Sequence, residues 1–440
     1  MISGDATFVA PATPFGHSGV AVIRINGPSS CQIIKTITKL KTLVPRTATL
    51  ANIYGDSNEI VDECIITKFK SPSSYTGDDL VEISCHGNPV IVDRVIGIII
   101  NNGARLAEPG EFTKRAFING KIDLIQAEAV GALIQSKSNA AARINRQTLG
   151  GELSKALNKL NQSLVNIVGK IEHAIDISEV EIQESFYKKC KQEINITIET
   201  TERVLSTFKA GKMLNEGIRV VITGKPNVGK STLINYLSGT QKAIVSEIPG
   251  TTRDTVESMI SIGGIPVRFI DTAGIHATED KVEKIGINKA NQEIDSADMI
   301  LYMFDDPKQH ELPQYDCPNI YILNKKDLHE KIENDDSIIH ISAKLGINVD
   351  FLLEKMKKLM SINPIASDTP HITSQPQYPA IHTSLSSQQT ALGLLNHPLP
   401  EMELVAFELR ESIDAIDTLL GKTSPDDILN NIFKTLCVGK

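Results

Sequence analysis

The sequence predicts a multidomain protein that combines an α/β nucleotide-binding domain with a helical domain and an amino-terminal α+β domain. Three observations predict this architecture. A glycine-bearing loop at 224–231 stands between a β-branched run and a helical run. Apolar residues recur at helical spacing from 149 to 167, and mixed strand-like and helical runs fill the first 118 residues. With 440 residues the chain is too long for one ordinary core, so several domains are expected.

The amino-terminal α+β domain is predicted from alternating short runs. Residues 19–25, 64–69 and 80–84 are typical of strands, and 90–101 is helical in period. Glycine and proline punctuate the segment often, which is typical of a compact domain with many turns.

A helical domain is predicted next, because no proline occurs from 110 to 225 and apolar residues recur there at helical spacing. The domain is predicted to be discontinuous, since the helical pattern resumes after the nucleotide-binding segment. Residues 361–380 carry four prolines and are the predicted linker, after which 386–395 and 401–420 are again helical in period. Because helical segments flank the nucleotide-binding domain on both sides, this domain is predicted to be an insert in the helical domain. Insertions of this kind are tolerated where the two ends of the host domain lie close together at the surface. The predicted domains are 1–118 (α+β), 119–215 and 361–440 (helical, with the linker), and 216–360 (inserted α/β).

Composition narrows the function classes. A net charge of −8 argues against salt-driven nucleic-acid binding over the whole surface, so any RNA contact is local or supplied by a partner. The apolar run 90–100 contains Asp93 and Arg94 and is too short to span a bilayer. No secretory signal opens the sequence, and the six scattered cysteines form no C-x-x-C pair. A cytoplasmic protein with reduced thiols and no membrane contact is expected.

Residues 224–231 match G-x-x-x-x-G-K-S/T, the phosphate-binding P-loop pattern. The strand-like run 219–223 precedes the loop, and 232–237 reads as the first turns of a helix. Backbone N–H groups and the helix dipole then favour an anion at this point. We expect Lys230 to reach the outer phosphates and the Ser231 hydroxyl to bind Mg²⁺.

The segment after the loop predicts a mostly parallel sheet with helices on both faces. Strand-like runs alternate with helical ones, and a Gly263–Gly264 turn separates the first two. Ligands then lie at the carboxyl ends of the strands. The predicted strands are 256–262, 267–270, 299–304, 320–323 and 338–341.

Two further motifs fall at those carboxyl ends. Residues 271–274, Asp-Thr-Ala-Gly, place a carboxylate near the magnesium ion and a glycine N–H near the γ-phosphate. Residues 324–327, Asn-Lys-Lys-Asp, follow another strand, where Asp327 can accept from N1–H and the exocyclic amine of guanine. Residues 342–344, Ser-Ala-Lys, would support the base. Three motifs in this order predict GTP binding.

Catalysis needs another group, because Ile275 occupies the position of the water-orienting glutamine of Ras-like proteins. Glu283 is the nearest candidate, acting directly or through a second water, although it could equally be a solvated helix carboxylate. Arg253 is near enough in sequence to be considered as a positive group. A monovalent cation held by Asn227 is the alternative source of positive charge.

Matches beyond the P-loop are specific and run from end to end. They comprise 12–14 with Gly19, Val20 and Arg24; 75–79 with His86 and Gly87; 109–113; 115–117; 120–124; 126–129; 250–254; and 437–440. These stretches resemble the MnmE (TrmE) family of tRNA modification GTPases over the whole length. The family's architecture, a Ras-like GTPase domain inserted into a helical domain behind an α+β domain, agrees with the reading above.

The resemblance implies a metal and GTP set. Asn227, Ser246, Ile248 and Thr251 would bind K⁺, Ser231 and Thr252 would bind Mg²⁺, and Glu283 would position water, so Glu283, Asn227 and Lys230 are the candidate catalytic residues. The GTP-binding candidates are Asn227, Val228, Gly229, Lys230, Ser231, Thr232, Ser246, Glu247, Ile248, Pro249, Gly250, Thr251, Thr252, Asp271, Thr272, Ala273, Gly274, Asn324, Lys325, Asp327, Ser342, Ala343 and Lys344.

The resemblance also implies a folate site in the amino-terminal domain, for 5-formyl- or 5,10-methylene-tetrahydrofolate. The matching positions are Arg24, Glu82, Lys121 and Lys440. A guanidinium and ammonium groups suit a glutamate-tailed anion, and Glu82 can accept from a pterin, although each residue alone could be a surface ion pair. Cys437 either assists at that site or merely lines it.

Smaller departures from the family pattern are expected to stay outside the GTP site. Asn88 stands where the family often has glycine, and His276 stands where an arginine is common. His86 is predicted to be a structural residue of a turn.

The family resemblance implies a GTP-hydrolysing subunit that installs an aminomethyl or carboxymethylaminomethyl group at C5 of the wobble uridine of tRNA. It implies potassium-dependent dimerisation of the GTPase domains in a homodimer, and a heterotetramer with an FAD-dependent protein of the MnmG (GidA) type. The alternative is a GTP-switched assembly factor for ribosomes or RNA without modifying activity. The constellation of Arg24, Glu82 and Lys121 favours the first function.

Overall fold

The computed structural model describes residues 6–177, 184–240, 257–271, 292–307, 312–328, 337–360, 370–374, 376–423, 433–434, 436 and 439. Contacts divide the chain into two compact units. The first unit comprises Met1–Ile134, Gln147–Thr201 and Pro379–Lys440, and the second unit comprises Gln135–Arg146 and Glu202–Tyr378.

The first unit contains a six-stranded sheet in the order β3-β4-β5-β2-β1-β6, antiparallel except for the β1–β6 pair. The strands predicted at 19–25, 64–69 and 80–84 are present as β2, β4 and β5, each longer than predicted. The strands are β1 Phe8–Pro11, β2 Ser18–Asn26, β3 Thr49–Tyr54, β4 Ile60–Phe69, β5 Leu80–Gly87 and β6 Arg105–Leu106.

Two helices, α1 Ser30–Thr38 and α2 Pro89–Asn101, bury their apolar faces in the core shared with this sheet. Asn88 caps α2, since its side chain accepts a hydrogen bond of 2.9 Å from the Val90 N–H. Its φ of −108° is extended, so no glycine is required there. The departure from the family pattern at this position is therefore compatible with the turn.

The other helices of the first unit follow the predicted helical period. Leu153, Leu157, Leu160 and Leu164 are buried along α6, at the spacing of one helix face. Thr201, Ser384, Gln388 and Ser412 form a fully buried hydrogen-bond network with contacts of 2.7–3.3 Å. The helices that lie wholly or mostly in this unit are α3 Glu111–Ile118, α4 Leu124–Ile134, α6 Glu152–Ile177, α7 Glu184–Ser206, α11 Gln377–Leu395 and α12 Met402–Leu420. Helix α5, Asn139–Leu149, belongs mostly to the second unit, which includes its residues up to Arg146.

The predicted linker 361–380 is wrong at its end, because α11 begins at Gln377. Pro379 is the third residue of that helix. Proline is tolerated in a first turn, where its missing N–H would have no intrahelical acceptor.

The second unit contains the predicted, mostly parallel sheet, in the order β12-β11-β10-β7-β9-β8. The pairs are parallel except β8–β9, a hairpin whose turn residues Gly263 and Gly264 have φ of 61° and 87°. The strands are β7 Ile218–Thr223, β8 Glu257–Ile262, β9 Ile265–Asp271, β10 Met299–Phe304, β11 Asn319–Leu323 and β12 Ile338–His340.

The core of the second unit also includes residues that the sequence assigned to the helical domain. Ile144 of α5 and Leu214 of α8 (Phe208–Asn215) are buried among the apolar residues of this sheet. Helices α9 (Lys230–Thr240) and α10 (Val349–Leu359) contribute Leu233 and Leu352. The domain boundaries at 118, 215 and 360 remain predictions.

Among the described residues, no helix is long and apolar enough to cross a membrane. The five cysteines in the described part of the chain are free thiols. Burial raises the pKa of Cys190 to about 11, so this thiol stays protonated near neutral pH.

Candidate nucleotide-binding site

The motifs of the second unit meet at the carboxyl edge of its sheet. Strand β7 lies between β9 and β10 and is parallel to both, with Ile222 opposite Asp271 and Thr223 opposite Tyr302. Strand β11 is parallel to β10 in turn. The loops after β7, β9 and β11 therefore begin at the same edge, as the sequence predicts.

The loop after β7 needs glycine at two positions. Gly224 has a φ of 138°, and a Cβ there would lie 1.9 Å from the carbonyl oxygen of Met303. Gly229 has a φ of 100°, and its Cβ would lie 2.3 Å from Nδ2 of Asn324. Asn227 also adopts the left-handed region, with a φ of 63°. The loop is thus packed closely against the ends of β10 and β11.

Lys230 begins α9 and is almost fully buried. Its Nζ donates to the carbonyl oxygens of Gly224 and Lys225, at 2.7 and 2.9 Å. Burial lowers the pKa of the Lys230 ammonium, while the charge of Asp271 acts to raise it. The structure therefore holds a poorly hydrated cation within the loop, as a phosphate-binding lysine requires.

Ser231 and Asp271 form the candidate magnesium site. The Ser231 hydroxyl donates to Oδ2 of Asp271 at 2.7 Å, and Asp271 is buried. Mg²⁺ prefers oxygen ligands at about 2.0–2.1 Å in octahedral geometry, where neighbouring ligands are roughly 2.9 Å apart. The donor set and its spacing fit this ion. The sequence placed the Asp271 carboxylate near the magnesium, and the structure brings it to Ser231.

Asn324 connects the three loops of the site. Its Nδ2 donates to the carbonyl oxygen of Val228 at 2.7 Å, and its Oδ1 accepts from the Ala343 N–H at 2.9 Å. All three residues are buried. Asn324 thereby connects the P-loop, residues 224–231, to the segment 342–344. The sequence did not reveal this structural role of Asn324.

The base-recognition residues lie beside this connection. Asp327 is exposed in a short 3-10 turn, Lys326–Leu328, and the Lys326 N–H donates to the Ile341 carbonyl at 2.9 Å. Lys325 has a φ of 62° and forms an ion pair with Asp305, a partner missed by sequence reasoning. The only sequence signal for Asp305 is its place directly after β10.

The remaining residues of 342–344 differ in exposure. Ser342 is buried and exchanges backbone hydrogen bonds with Ile347, whereas Lys344 is exposed. Thr232 is exposed in the first turn of α9. Among the predicted GTP residues that the structure describes, hydrogen bonds therefore join Ser231 to Asp271, and Asn324 to Val228 and Ala343. The predicted residues Ser246, Glu247, Ile248, Pro249, Gly250, Thr251, Thr252, Thr272, Ala273, Gly274, Glu283, Cys437 and Lys440 lie outside the described residues.

A second candidate site lies in the first unit. Arg24 and Glu82 are opposite each other on β2 and β5, and Nε of Arg24 lies 2.8 Å from Oε1 of Glu82. Nη1 of Arg24 also donates to the Gly439 carbonyl at 3.3 Å, and the guanidinium lies 5.9 Å from the Tyr75 ring centre. Lys121 donates to the Pro72 carbonyl at 3.1 Å, in the same loop as Tyr75. Arg24 and Glu82 are therefore paired with each other.

His86 does not lie in a turn, as the sequence suggested, but on strand β5. Its backbone N–H donates to Oδ2 of Asp62, and its Nδ1 lies 2.7 Å from Oδ1 of the same carboxylate. Burial acts to raise the pKa of Asp62, but these hydrogen bonds from His86 outweigh it and hold the pKa below its ordinary value. The pair joins β4 to β5.

The sheet, the P-loop and the loops tied by Asn324 define a P-loop nucleotide-binding protein. Residues 7–121 match the family description "GTP-binding protein TrmE N-terminus", and residues 124–437 match "MnmE helical domain". Three curated relatives carry the name tRNA modification GTPase MnmE. They are those of Aquifex aeolicus (37% identical; 98% of this chain and 99% of the relative), Clostridioides difficile (36%; 99% of each) and Legionella pneumophila (39%; 99% of each).

This chain belongs to the MnmE family of tRNA modification GTPases. It is accordingly a GTP-hydrolysing enzyme.

Proposed function

We propose that this chain is the GTP-hydrolysing subunit of a tRNA-modifying complex that adds a carboxymethylaminomethyl or aminomethyl group at C5 of the wobble uridine. The observation that carries the proposal is the convergence of Lys230, the Ser231–Asp271 pair and the Asn324 connection at one edge of the sheet. Family membership supports the reaction on tRNA.

The second unit would bind and orient GTP. Lys230 is buried against the loop and would exchange its carbonyl partners for the outer phosphates, which are stronger acceptors. Asp327 would accept from the two donors of the guanine edge, and Ala343 would support the base. Because Asn324 ties Val228 to Ala343, the phosphate loop and the base loop are held in register.

Ser231 and Thr252 would bind Mg²⁺, with Asp271 beside them. The ion would neutralise charge on the phosphate oxygens. Support comes from the 2.7 Å contact between Ser231 and Asp271.

K⁺ would bind at Asn227, Ser246, Ile248 and Thr251, and Glu283 would position the attacking water. The ion would supply the positive charge that an arginine finger supplies in other GTPases. Asn227 has a φ of 63°, a left-handed backbone conformation that is uncommon for residues other than glycine. Such conformations occur often at binding sites, which is consistent with a ligand at this residue. We propose that two copies of the GTPase domain close on each other within a homodimer.

The first unit would bind 5-formyl- or 5,10-methylene-tetrahydrofolate through Arg24, Glu82, Lys121 and Lys440. The convergence of Arg24, Glu82 and the carbonyl of Gly439 supports a site at this place. Cys437 is two positions before Gly439 in the sequence and would lie near this site. An FAD-dependent partner of the MnmG type would complete a heterotetramer.

Cation replacement tests the GTPase part of the proposal. We expect GTP turnover to fall at least tenfold when Na⁺ replaces K⁺, because loss of one charge contact to a transition state costs at least about 1.4 kcal/mol. Asn227→Ala should abolish the difference between the two ions, and the exposed loop variant Lys225→Ala should retain it. Equal turnover of the wild type in Na⁺ and K⁺ would show that the cation mechanism is wrong.

The alternative, a GTP-switched assembly factor, has no need of the cluster around Arg24. A folate-binding titration with Arg24→Gln distinguishes the two functions. Binding by the wild type and loss in the variant support the modifying enzyme, whereas no folate binding by either protein favours the assembly factor.

A further inference from the structure

Two cations from distant parts of the sequence, Arg46 and Lys121, contact one loop of the first unit, residues 70–75, which itself begins with Lys70. Nη2 of Arg46 donates to the Ser73 carbonyl at 2.7 Å. Nζ of Lys121 donates to the Pro72 carbonyl at 3.1 Å, and Lys70 begins the loop with its carbonyl accepting from Ser73 N–H at 2.8 Å. We call Arg46, Lys70 and Lys121 the basic rim.

The basic rim is exposed, and none of its side chains forms an ion pair with the residues that the structure describes. All three side chains belong to exposed residues. Among the residues that the structure describes, no carboxylate lies within 4.0 Å of any of the three. The two nearby acids in sequence are engaged elsewhere, since Asp78 contacts Arg115 and Asn119, and Asp79 accepts from the Ser71 N–H at 2.9 Å.

The charge of the chain is distributed so that this region stands out. Residues 1–118 contain 11 Lys and Arg and 11 Asp and Glu, so the rest of the chain carries the whole net charge of −8. Residues 6–55 contain no acidic residue at all. An acidic protein that binds a polyanion needs such a local basic surface, because its overall field repels the ligand.

The basic rim also lies next to the candidate folate site. Tyr75, in the rim loop, has its ring 5.9 Å from the Arg24 guanidinium, and its hydroxyl lies 2.8 Å from Oγ1 of Thr113. The ring is partly exposed. Cationic side chains near an exposed aromatic ring are typical of surfaces that bind a nucleic-acid backbone and stack on a base.

We propose that the basic rim binds the phosphate backbone of tRNA beside the candidate folate site. This inference rests on the proposed function. Arg46 and Lys121 are anchored by backbone carbonyls, which sets their guanidinium and ammonium groups at defined places on the loop. Lys70 supplies a third positive charge on an exposed, flexible side chain. Phosphate contacts of this kind fix position and carry no sequence information.

The test measures the salt dependence of tRNA binding. An unmodified tRNA transcript with uridine at the wobble position is titrated in a series of NaCl concentrations, without K⁺, against wild type and the double variant Arg46→Gln/Lys70→Gln. Each lost phosphate contact makes the slope of log K against log salt less steep by about 0.7–0.9. We therefore expect a slope about 1.4–1.8 less steep, and an affinity ratio that narrows about tenfold between 50 and 200 mM salt.

Matched variants separate charge from structure. Lys155→Gln/Lys159→Gln removes the same charge from exposed positions of α6 and should leave the slope unchanged. Arg46→Lys/Lys70→Arg keeps the charge and should restore the wild-type slope. Lys70→Gln alone has no loop anchor to lose and should reduce the slope by about 0.7–0.9. A slope equal to that of wild type in the first double variant and in Lys70→Gln overturns the proposal.

Two further arms identify other outcomes. If the double variant binds tRNA normally but loses affinity for tetrahydrofolate pentaglutamate relative to the monoglutamate, the rim binds the folate tail and the RNA proposal is wrong. If it loses only binding to polyglutamate peptide, the rim serves an acidic protein, and the proposal is again wrong. Failure of wild type itself to bind any tRNA would contradict the proposed function, which distinguishes the two failures.

Discussion

Asn324 shows how a single side chain can hold a binding site together. A carboxamide carries a donor and an acceptor on neighbouring atoms, and Asn324 uses both, to the Val228 carbonyl and to the Ala343 N–H. Leaving either buried partner unpaired would cost about 1–3 kcal/mol. The first residue of the motif is therefore explained by the fold, while the last, Asp327, is left exposed for the base.

Base identity should follow from Asp327. We expect Asp327→Asn to weaken GTP binding by about 10–100-fold, because a charged pair of hydrogen bonds is lost. The same variant should gain affinity for XTP, since xanthine presents a carbonyl where guanine has its amine, and an asparagine N–H can donate to it. Competition titrations with a fluorescent GTP analogue measure both affinities.

The neighbouring Asp350→Asn, a first-turn residue of α10, is the control and should change neither affinity. If Asp327→Asn retained GTP and ignored XTP, Asp327 would have no contact with the base.

At the residue scale, the sequence indicates side chains within one motif better than it indicates partners that are distant along the chain. Lys230 and Ser231 follow from the P-loop pattern alone. Arg24 and Glu82 were predicted as separate contacts to a ligand, but the β2–β5 register places them opposite each other, and no spacing in the sequence reveals a register between strands so far apart. The Lys325–Asp305 pair was missed for the same reason.

At the scale of elements, the conformation of the P-loop depends on how closely its backbone packs against the end of β10. Gly224 has a φ of 138° and leaves no space for a Cβ against the Met303 carbonyl. This contact joins the end of β7 to β10, so any side chain at 224 must displace the loop or the strand.

We expect Gly224→Ala to abolish measurable GTP binding, because the loop can no longer present its N–H groups together. Gly239→Ala in α9 is the matched control, since nothing lies within 4 Å of its added Cβ and alanine favours a helix. Isothermal titration calorimetry with GTP and Mg²⁺ measures both variants, with circular dichroism to confirm folding. Wild-type affinity in Gly224→Ala would refute the steric argument.

Elements with a strong period were predicted well, although some ends were missed, as for β4, which is predicted at 64–69 and is Ile60–Phe69. Strand β7, predicted at 219–223, is Ile218–Thr223, and α2, predicted at 90–101, is Pro89–Asn101. Helix α11 begins at Gln377 despite Pro379, because proline in a first turn does not stop a helix. The prolines of the linker therefore did not mark its end.

At the scale of the whole molecule, the net negative charge lies outside the first 118 residues. Residues 1–118, which carry no net charge, contain Arg24, Glu82, Arg46 and Lys70, whereas Lys121, Lys440 and the GTP motifs belong to the acidic remainder. Composition predicted a local RNA contact at most, but it could not locate one, because Arg46, Lys70 and Lys121 come together only through the fold.

The central claim is that GTP hydrolysis by this chain serves modification of the wobble uridine of tRNA. The most direct measurement is mass analysis of tRNA nucleosides from cells that lack the protein, complemented with wild type or with Lys230→Ala. We predict that the C5 modification is absent without the protein, returns with the wild type and does not return with Lys230→Ala. Full modification in the deleted cells, once redundant enzymes are removed, would contradict the account.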